Sequence, residues 1–369
     1  MTENLKQTQL YAWHVAQGGR MVPFAGWEMP VQYPTGPIKE HLITRQSAGL
    51  FDIDHMGQIV ITGPHAESYL NRLVTWDITL MAENEAHYAL MCYEDGGVVD
   101  DVFIYKLAGR WFVVVNADNL AKDYEWMQAH AIGHKVSLRD ISTETYMLAL
   151  QGPQAIAILQ HLTTADVTHM GRFTALETTV LGLSTIIGRT GYTGEDGVEL
   201  FFPAESAITM WEGILQKGAE VGLEVKPIGL AARDSLRFEP GFPLYGHEIS
   251  AKISPIEAGL NWACKFEHEF IGREAMLQQK EQGVSKQLIS FELTEKGVPR
   301  AEYPVTSIDG TEIGVVVTGL YAPSVDKYCG NAYVSPEYAK VGTPLHIMIR
   351  NQPKAAMVVK RPFYKPAYK

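Results

Sequence analysis

Val102-Phe103-Ile104-Tyr105-Lys106-Leu107, then Ala108-Gly109, then Arg110-Trp111-Phe112-Val113-Val114-Val115, is the stretch whose reading decides the fold class. Two runs rich in β-branched and aromatic residues, separated by two residues ending in glycine, spell an antiparallel hairpin. Residues 117–131 then switch to helical spacing, with Leu120, Tyr124, Met127 and Ala131 on one face. Residues 64–74 and 153–162 each begin with proline after glycine, a helix-start pattern, and 206–221 form another amphipathic helix. Strands and helices do not alternate regularly enough for a parallel, doubly wound sheet. After about residue 283 the texture changes. Residues 288–293, 305–308, 312–318 and 345–349 read as short strands, punctuated by turns at Asp309-Gly310 and Asn351-Gln352-Pro353. With no long helix among them, this C-terminal module is expected to be all-β.

The chain has 369 residues, 46% of them hydrophobic and 20% charged, which suits an ordinary globular protein of two or three domains. A formal net charge of -11 argues against a nucleic-acid or anionic-membrane surface, since both need clustered Lys and Arg. A local basic pocket for an anionic ligand remains compatible with it. Cys92, Cys264 and Cys329 are far apart and match no metal-ligand spacing, so neither a disulfide framework nor a zinc site is expected. The first residues lack the apolar core of a signal peptide, and 111–115 is too short to cross a bilayer. A cytoplasmic protein is the expectation.

Glycine offers a false lead. Gly191, Gly194 and Gly197 are spaced three apart, unlike a dinucleotide fingerprint, and the segment runs from strand to strand. Neither a P-loop nor the local context of a nucleophile elbow is present, and His41 and His55 lack the companions of a metal site. Asp100 and Asp101 follow a Gly-Gly turn. They read either as turn and strand-entry residues or as two carboxylates side by side in a cavity, one with a raised pKa. Glu199 falls inside the apolar run Val198-Glu199-Leu200-Phe201-Phe202, where an unpaired carboxylate is costly. Either that position faces solvent, or the carboxylate meets a donor pair such as the N–H edge of a pterin-like ring. Arg233 in Ala232-Arg233-Asp234 is either a surface charge paired with Asp234 or a planar donor fork facing an anion.

Taken in order, these motifs resemble a known family. Phe24-Ala25-Gly26-Trp27-Glu28-Met29-Pro30, Phe51-Asp52-Ile53-Asp54-His55-Met56-Gly57, Gly96 to Asp101 and Ala149-Leu150-Gln151-Gly152-Pro153 fall in the family order. Thr190 to Glu199, Ala232-Arg233-Asp234, Leu244-Tyr245-Gly246 and Pro362-Phe363-Tyr364 complete it. The likeness is to the aminomethyltransferase, or T-protein, family of the glycine cleavage system, and it covers essentially the whole chain. It implies an α+β fold: a three-domain cloverleaf of antiparallel sheets with flanking helices around a central folate channel, ending in a β-barrel-like domain. The implied domains are 1–50 with 140–245, which binds folate; 51–139 with 246–283; and 284–369.

By motif position, Asp101 resembles the family's essential aspartate near the reactive folate nitrogens. Glu199 is similar to the glutamate that reads the pterin edge, and Arg233 to the neighbouring ligand-contacting arginine. Tyr88, Tyr105 and Tyr192 fall where the family lines its pocket with tyrosines, and Tyr368 resembles a C-terminal tyrosine close to the ligand. The implied reaction transfers the methylene carbon of an aminomethyl group, carried on a lipoylated H-protein, to tetrahydrofolate with release of ammonia. Tetrahydrofolate is a co-substrate, and no metal, flavin or nucleotide is required. Three features depart from the pattern: Asp54 where serine is common, no clear pocket aromatic around 170–173, and a loose loop at 318–324. They bear on the one-carbon donor. The competing readings are a family relative that demethylates a sulfonium, methylamine or aryl methyl ether, and a non-catalytic folate-binding module. The intact Asp101 and the near-complete pocket set count against the latter.

Overall fold

The computed structural model describes residues 5–368. The chain divides into two compact units. One comprises the chain up to Leu70, Ile78–Tyr88 and Val102–Leu236; the other comprises Asn71–Asp77, Ala89–Asp101 and the chain from Arg237 onward.

In the first unit a six-stranded sheet holds the strands Ala175–Val180, Leu183–Gly188, Gly197–Pro203, Thr145–Gln151, Ala48–Asp52 and Val225–Pro227 side by side in that order. All neighbours are antiparallel except the last pair. Side chains alternate across a sheet, and here both faces are covered. Leu50, Leu148, Leu150, Val198 and Leu200 pack with the helices Ala155–Gln160 and Ala207–Glu220, around Trp211 and Ile214. Phe51, Met147, Ala149 and Phe201, of opposite parity, join Tyr105, Phe112, Ala232 and Leu236 in a second core. The strand therefore carries hydrophobic residues at nearly every position, and that second face matters for Glu199.

The hairpin read from the sequence is present, as Val98–Leu107 and Arg110–Val115. It belongs to a five-stranded sheet whose order is Ala86–Cys92, Val98–Leu107, Arg110–Val115, Gly57–Thr62 and Ser137–Asp140. The helix expected over 117–131 begins as a 3₁₀ turn, Ala117–Asn119, before the α-helix Leu120–His130. The helix expected over 206–221 is Ala207–Glu220.

In the second unit six strands close into a barrel: Gln287–Leu293, Lys327–Val334, Glu312–Ala322, Pro304–Thr306, Pro344–Ile349 and Gln352–Val359. Phe291, Val305, Val316, Val334, Leu345 and Ile347 are among the residues filling its interior. Two of these strands lie outside the strands read from the sequence. Lys327–Val334 carries Asn331 at its middle, a poor strand signal; its side chain is buried and paired with Ser290 and Glu248. Gln352–Val359 begins one residue before Pro353, so the expected turn at 351–353 is displaced. Arg350 and Asn351, both with positive φ (51° and 62°), form the two-residue turn instead.

Candidate functional site

Glu199 sits in the Gly197–Pro203 strand opposite Gly188 on one neighbour and Ala149 on the other. Its parity places it on the Tyr105–Phe201 face, so the solvent-facing reading of this position fails. The small cross-strand partners leave room that Tyr105 occupies: a Cβ on Gly188 would stand 2.8 Å from the Tyr105 ring. Tyr105 is fully buried and donates from its hydroxyl to Glu199 Oε2 at 3.1 Å. Thr190 Oγ1 donates to the same oxygen at 2.5 Å and also lies 2.8 Å from the Tyr105 hydroxyl. Hydrogen bonds to a charged group contribute roughly 1.5–3 kcal/mol each, which offsets much of the desolvation of the carboxylate. Glu199 Oε1 accepts no hydrogen bond among the described residues. Burial still raises the Glu199 pKa, opposed by Thr190, Tyr105 and the Arg233 charge. Burial and the adjacent carboxylate hold the Tyr105 phenol far above its ordinary range, so it acts as a fixed donor.

Arg233, on the helix Leu230–Phe238, lies with its guanidinium carbon 5.3 Å from the centroid of the Tyr192 ring. Its charge reaches both Glu199 and His55. A guanidinium over an aromatic face is held there by attraction to the ring's electron-rich face, which limits where its fork of donors can point.

The loop from 189 to 197 is held from below. Gln151, 1% exposed, donates to the carbonyls of Thr190 (3.0 Å) and Val198 (3.2 Å) and accepts from Thr193 Oγ1 at 2.9 Å. Gly191 is required there, because a Cβ would stand 1.9 Å from Gln151 Oε1. Arg45, buried, donates to the Thr193 carbonyl at 2.6 Å and pairs with the buried Glu195 at 2.9 Å. Arg189 and Asp196 pair at 2.7 Å nearer the surface. The glycine-rich run is thus a rigid strand connection, consistent with its spacing not being that of a dinucleotide site.

The sequence-derived residues are distributed as follows. Tyr105 is hydrogen-bonded to Glu199, Arg233 lies over Tyr192, all four belong to the first unit, and the Arg233 charge acts on Glu199. Tyr88, partly buried in the Ala86–Cys92 strand, belongs to the same unit. Asp101 and Tyr368 belong to the second; Tyr368 is 52% exposed. Asp100 and Asp101 are the third and fourth residues of the Val98–Leu107 strand rather than members of its turn. Consecutive strand positions point to opposite faces, so the two carboxylates do not lie side by side. Asp100 is fully buried and Asp101 partly so. Thr190 and His55 were not assigned a ligand-site role from sequence. Thr190 opens the Thr-Gly-Tyr-Thr-Gly-Glu block, and that place in the block is the sequence signal; its bond to Glu199 nine residues later is visible only in the fold. His41, considered as a metal ligand, lies 2.8 Å from Ser235 Oγ through its Nδ1. No cluster of three or more His, Cys, Asp or Glu side chains suited to a metal ion occurs among the described residues.

The chain is an α+β protein of largely antiparallel sheets, ended by a closed six-stranded barrel. Residues 10–268 match the GCVT N-terminal domain, and 286–365 match the glycine cleavage T-protein C-terminal barrel domain. The chain belongs to the glycine cleavage T-protein family. It is 48% identical over 367 residues to an aminomethyltransferase of Herpetosiphon aurantiacus, covering 99% of this chain and 100% of the relative. It is 46% identical to one of Desulforamulus reducens, covering 98% and 99%. The crystal structure of the glycine cleavage system aminomethyltransferase T from Bartonella henselae superposes with a TM-score of 0.92 at 33% identity, covering 98% of this chain and 99% of that one.

Proposed function

We propose that the chain is the aminomethyltransferase of a glycine cleavage system, a tetrahydrofolate-dependent one-carbon transferase. The observation that carries the reading within the site is the Glu199 carboxylate. One oxygen is fixed by Tyr105 and Thr190, the other accepts nothing from the described residues, and the Arg233 charge favours the ionised form. A carboxylate so arranged suits the paired N–H donors of a pterin edge, and an adjacent guanidinium suits a carbonyl or anionic group of the same ligand. Full-length similarity to aminomethyltransferases supports the reaction.

In that reaction N5 of tetrahydrofolate attacks the methylene carbon of an aminomethyl group borne on lipoyl sulfur. Ammonia leaves, and N10 closes the five-membered ring of 5,10-methylenetetrahydrofolate. The two folate N–H protons are accounted for by ammonia and by the dihydrolipoyl thiol. Positive charge develops on the one-carbon unit, and a fixed carboxylate beside it lowers the barrier electrostatically. We assign that role to Asp101, with Tyr88, Tyr105, Tyr192, Glu199, Arg233 and Tyr368 serving folate binding. A lipoylated H-protein is the proposed donor partner. The domain division at 1–50 with 140–245, 51–139 with 246–283, and 284–369 is kept as a proposal; the matched barrel model beginning at 286 supports its last boundary. A cytoplasmic location is likewise proposed, supported by the three free cysteines. No described helix is long and apolar enough to cross a membrane.

The test supplies purified protein with aminomethyl-loaded, lipoylated H-protein and tetrahydrofolate, and measures ammonia and methylenetetrahydrofolate. Asp101→Asn is expected to retain folate binding and lose most turnover. Turnover at the wild-type level would remove Asp101 from the chemistry. Methyltetrahydrofolate formed from a small methyl donor, without ammonia, would move the chain to the demethylase reading.

A further inference from the structure

The strand Val98–Leu107, which carries Asp101, pairs with Arg110–Val115 from Phe103 to Leu107. Its first residue is held by a different segment. The Val98 N–H donates to the carbonyls of Ser250 (3.0 Å) and Ile253 (3.1 Å), and the Tyr245 hydroxyl donates to the Val98 carbonyl at 3.3 Å. The same segment lies so close to the preceding turn that a Cβ on Gly97 would stand 2.0 Å from the Ala251 carbonyl oxygen. Residues 245–253 thus form a strap across the strand entry, a few residues before Asp101.

The strap is in turn fixed through Glu248, which is 1% exposed. Its Oε2 accepts from Arg237 at 2.9 Å and from the Leu244 N–H at 3.1 Å, and its Oε1 accepts from Asn331 Nδ2 at 2.8 Å. The Glu248 backbone carbonyl accepts the Tyr333 hydroxyl at 2.6 Å. Asn331 and Tyr333 lie on the barrel strand Lys327–Val334, and Ser290 on the neighbouring strand donates to Asn331 Oδ1 at 2.7 Å. Burial raises the Glu248 pKa, but the Arg237 charge and the bonds from Asn331, Thr318 and Leu244 outweigh it and hold the carboxyl below its ordinary range. Stability alone does not explain so polar a cluster. A buried ion pair pays for its own desolvation, and well-packed apolar residues of similar volume are often at least as stabilising. What directional bonds add is position. They set Glu248 at one place on the barrel, and the Ser250 carbonyl that receives Val98 follows closely in the chain.

We infer that Glu248 is a positioning residue for Asp101: by pinning the strap to the barrel it fixes the entry of the strand that presents the Asp101 carboxylate to the one-carbon unit. The inference rests on the role assigned to Asp101 above. It accounts for Asn331 in the middle of a barrel strand, where an apolar residue would otherwise serve, and for a charged pair buried beside it. A reacting group misplaced by about 1 Å can lose on the order of a hundredfold in rate, so a network remote from the ligand can still govern turnover.

The experiment measures kcat and the KM for tetrahydrofolate with aminomethyl-loaded, lipoylated H-protein. It uses the full chain carrying Glu248→Gln or Tyr245→Phe, each alone and combined with Asp101→Asn, with thermal unfolding as a check on folding. Glu248→Gln keeps an acceptor for Asn331 but turns a donor toward Arg237 and the Leu244 N–H. It is expected to lower kcat at least tenfold. Tyr245→Phe removes one hydrogen bond to the strand entry and is expected to lower kcat about threefold. In both, KM should stay within about twofold of wild type. Combined with Asp101→Asn, neither should reduce the residual turnover further, because the group they position is gone. A loss of the same size in the Asp101→Asn background, or a loss confined to KM, would overturn the inference. So would wild-type kcat in Glu248→Gln or, should that variant not fold, in Tyr245→Phe. Wild-type turnover in Asp101→Asn would instead remove the role of Asp101, and the inference with it.

Discussion

Replacing Asp54 by asparagine is expected to stabilise the protein, by an amount that grows with pH. Burial first, and then the neighbouring Asp52 carboxylate, push the Asp54 pKa from 3.8 to about 9, against the favourable Met147 N–H. At pH 7 the folded chain holds a proton on Asp54 that the unfolded chain has released. Each pKa unit corresponds to about 1.4 kcal/mol, so the interval from 3.8 to 7 opposes folding by roughly 4 kcal/mol. Asp54 is not completely buried, and solvent screening reduces the expected figure to about 2–3 kcal/mol. Asparagine matches the shape, retains an oxygen for the Met147 N–H and never ionises. The sign follows from the raised folded value: the contribution is full below the unfolded pKa near 4 and is lost as pH climbs toward 9. Asp52 behaves oppositely. Its hydrogen bonds with His14 and Thr8 lower its pKa, so its contribution is lost in acid, and it cancels between wild type and variant. Urea unfolding of both proteins at pH 5, 6, 7 and 8, followed by tryptophan fluorescence, measures the difference. The gap is expected to widen by about 1 kcal/mol per pH unit. A gap constant across that range, or a variant less stable at pH 8, would refute the assignment of a buried, protonated carboxyl at this turn.

Gly191→Ala places a Cβ 1.9 Å from Gln151 Oε1 and must displace the side chain that holds the Thr190 and Val198 carbonyls. Its expected result is at least a tenfold loss of folate affinity by calorimetry together with a lowered urea midpoint, since the buried carbonyls lose their donor; wild-type affinity would show that the loop does not support Glu199. Arg45→Met strands the buried Glu195 carboxylate and should cost about 3–5 kcal/mol, whereas Arg45→Met with Glu195→Leu should recover most of that loss in the same urea assay. Glu199→Gln keeps the Tyr105 and Thr190 contacts but exchanges an acceptor for a donor, so reduced folates should bind at least tenfold more weakly.

What the sequence could convey about this site depended on which physical signal each residue leaves locally. Hydrophobic spacing located the hairpin around Tyr105 and the helix Ala207–Glu220 because both patterns are set by near neighbours in the chain. The same spacing was silent on Glu199. An acidic residue in an apolar strand reads as solvent-facing until the sheet is known to be covered on both faces, and that covering comes from Phe112, Ala232 and Leu236, far away in sequence. Asp100 and Asp101 illustrate the reverse. Their adjacency suggested a coupled pair, but the strand begins at Val98, two residues before Asp100, and alternation then separates them. Lys327–Val334 was missed because its buried Asn331 is a fold-level choice, satisfied by Ser290 and Glu248 rather than by its own strand. His55 leaves the weakest trace of all. Sequence weighed it only as a metal ligand, and its two ring nitrogens have no hydrogen-bond partner among the described residues. A buried polar group without a bond leaves a deficit rather than a pattern, and that deficit becomes visible only when every buried neighbour has been paired.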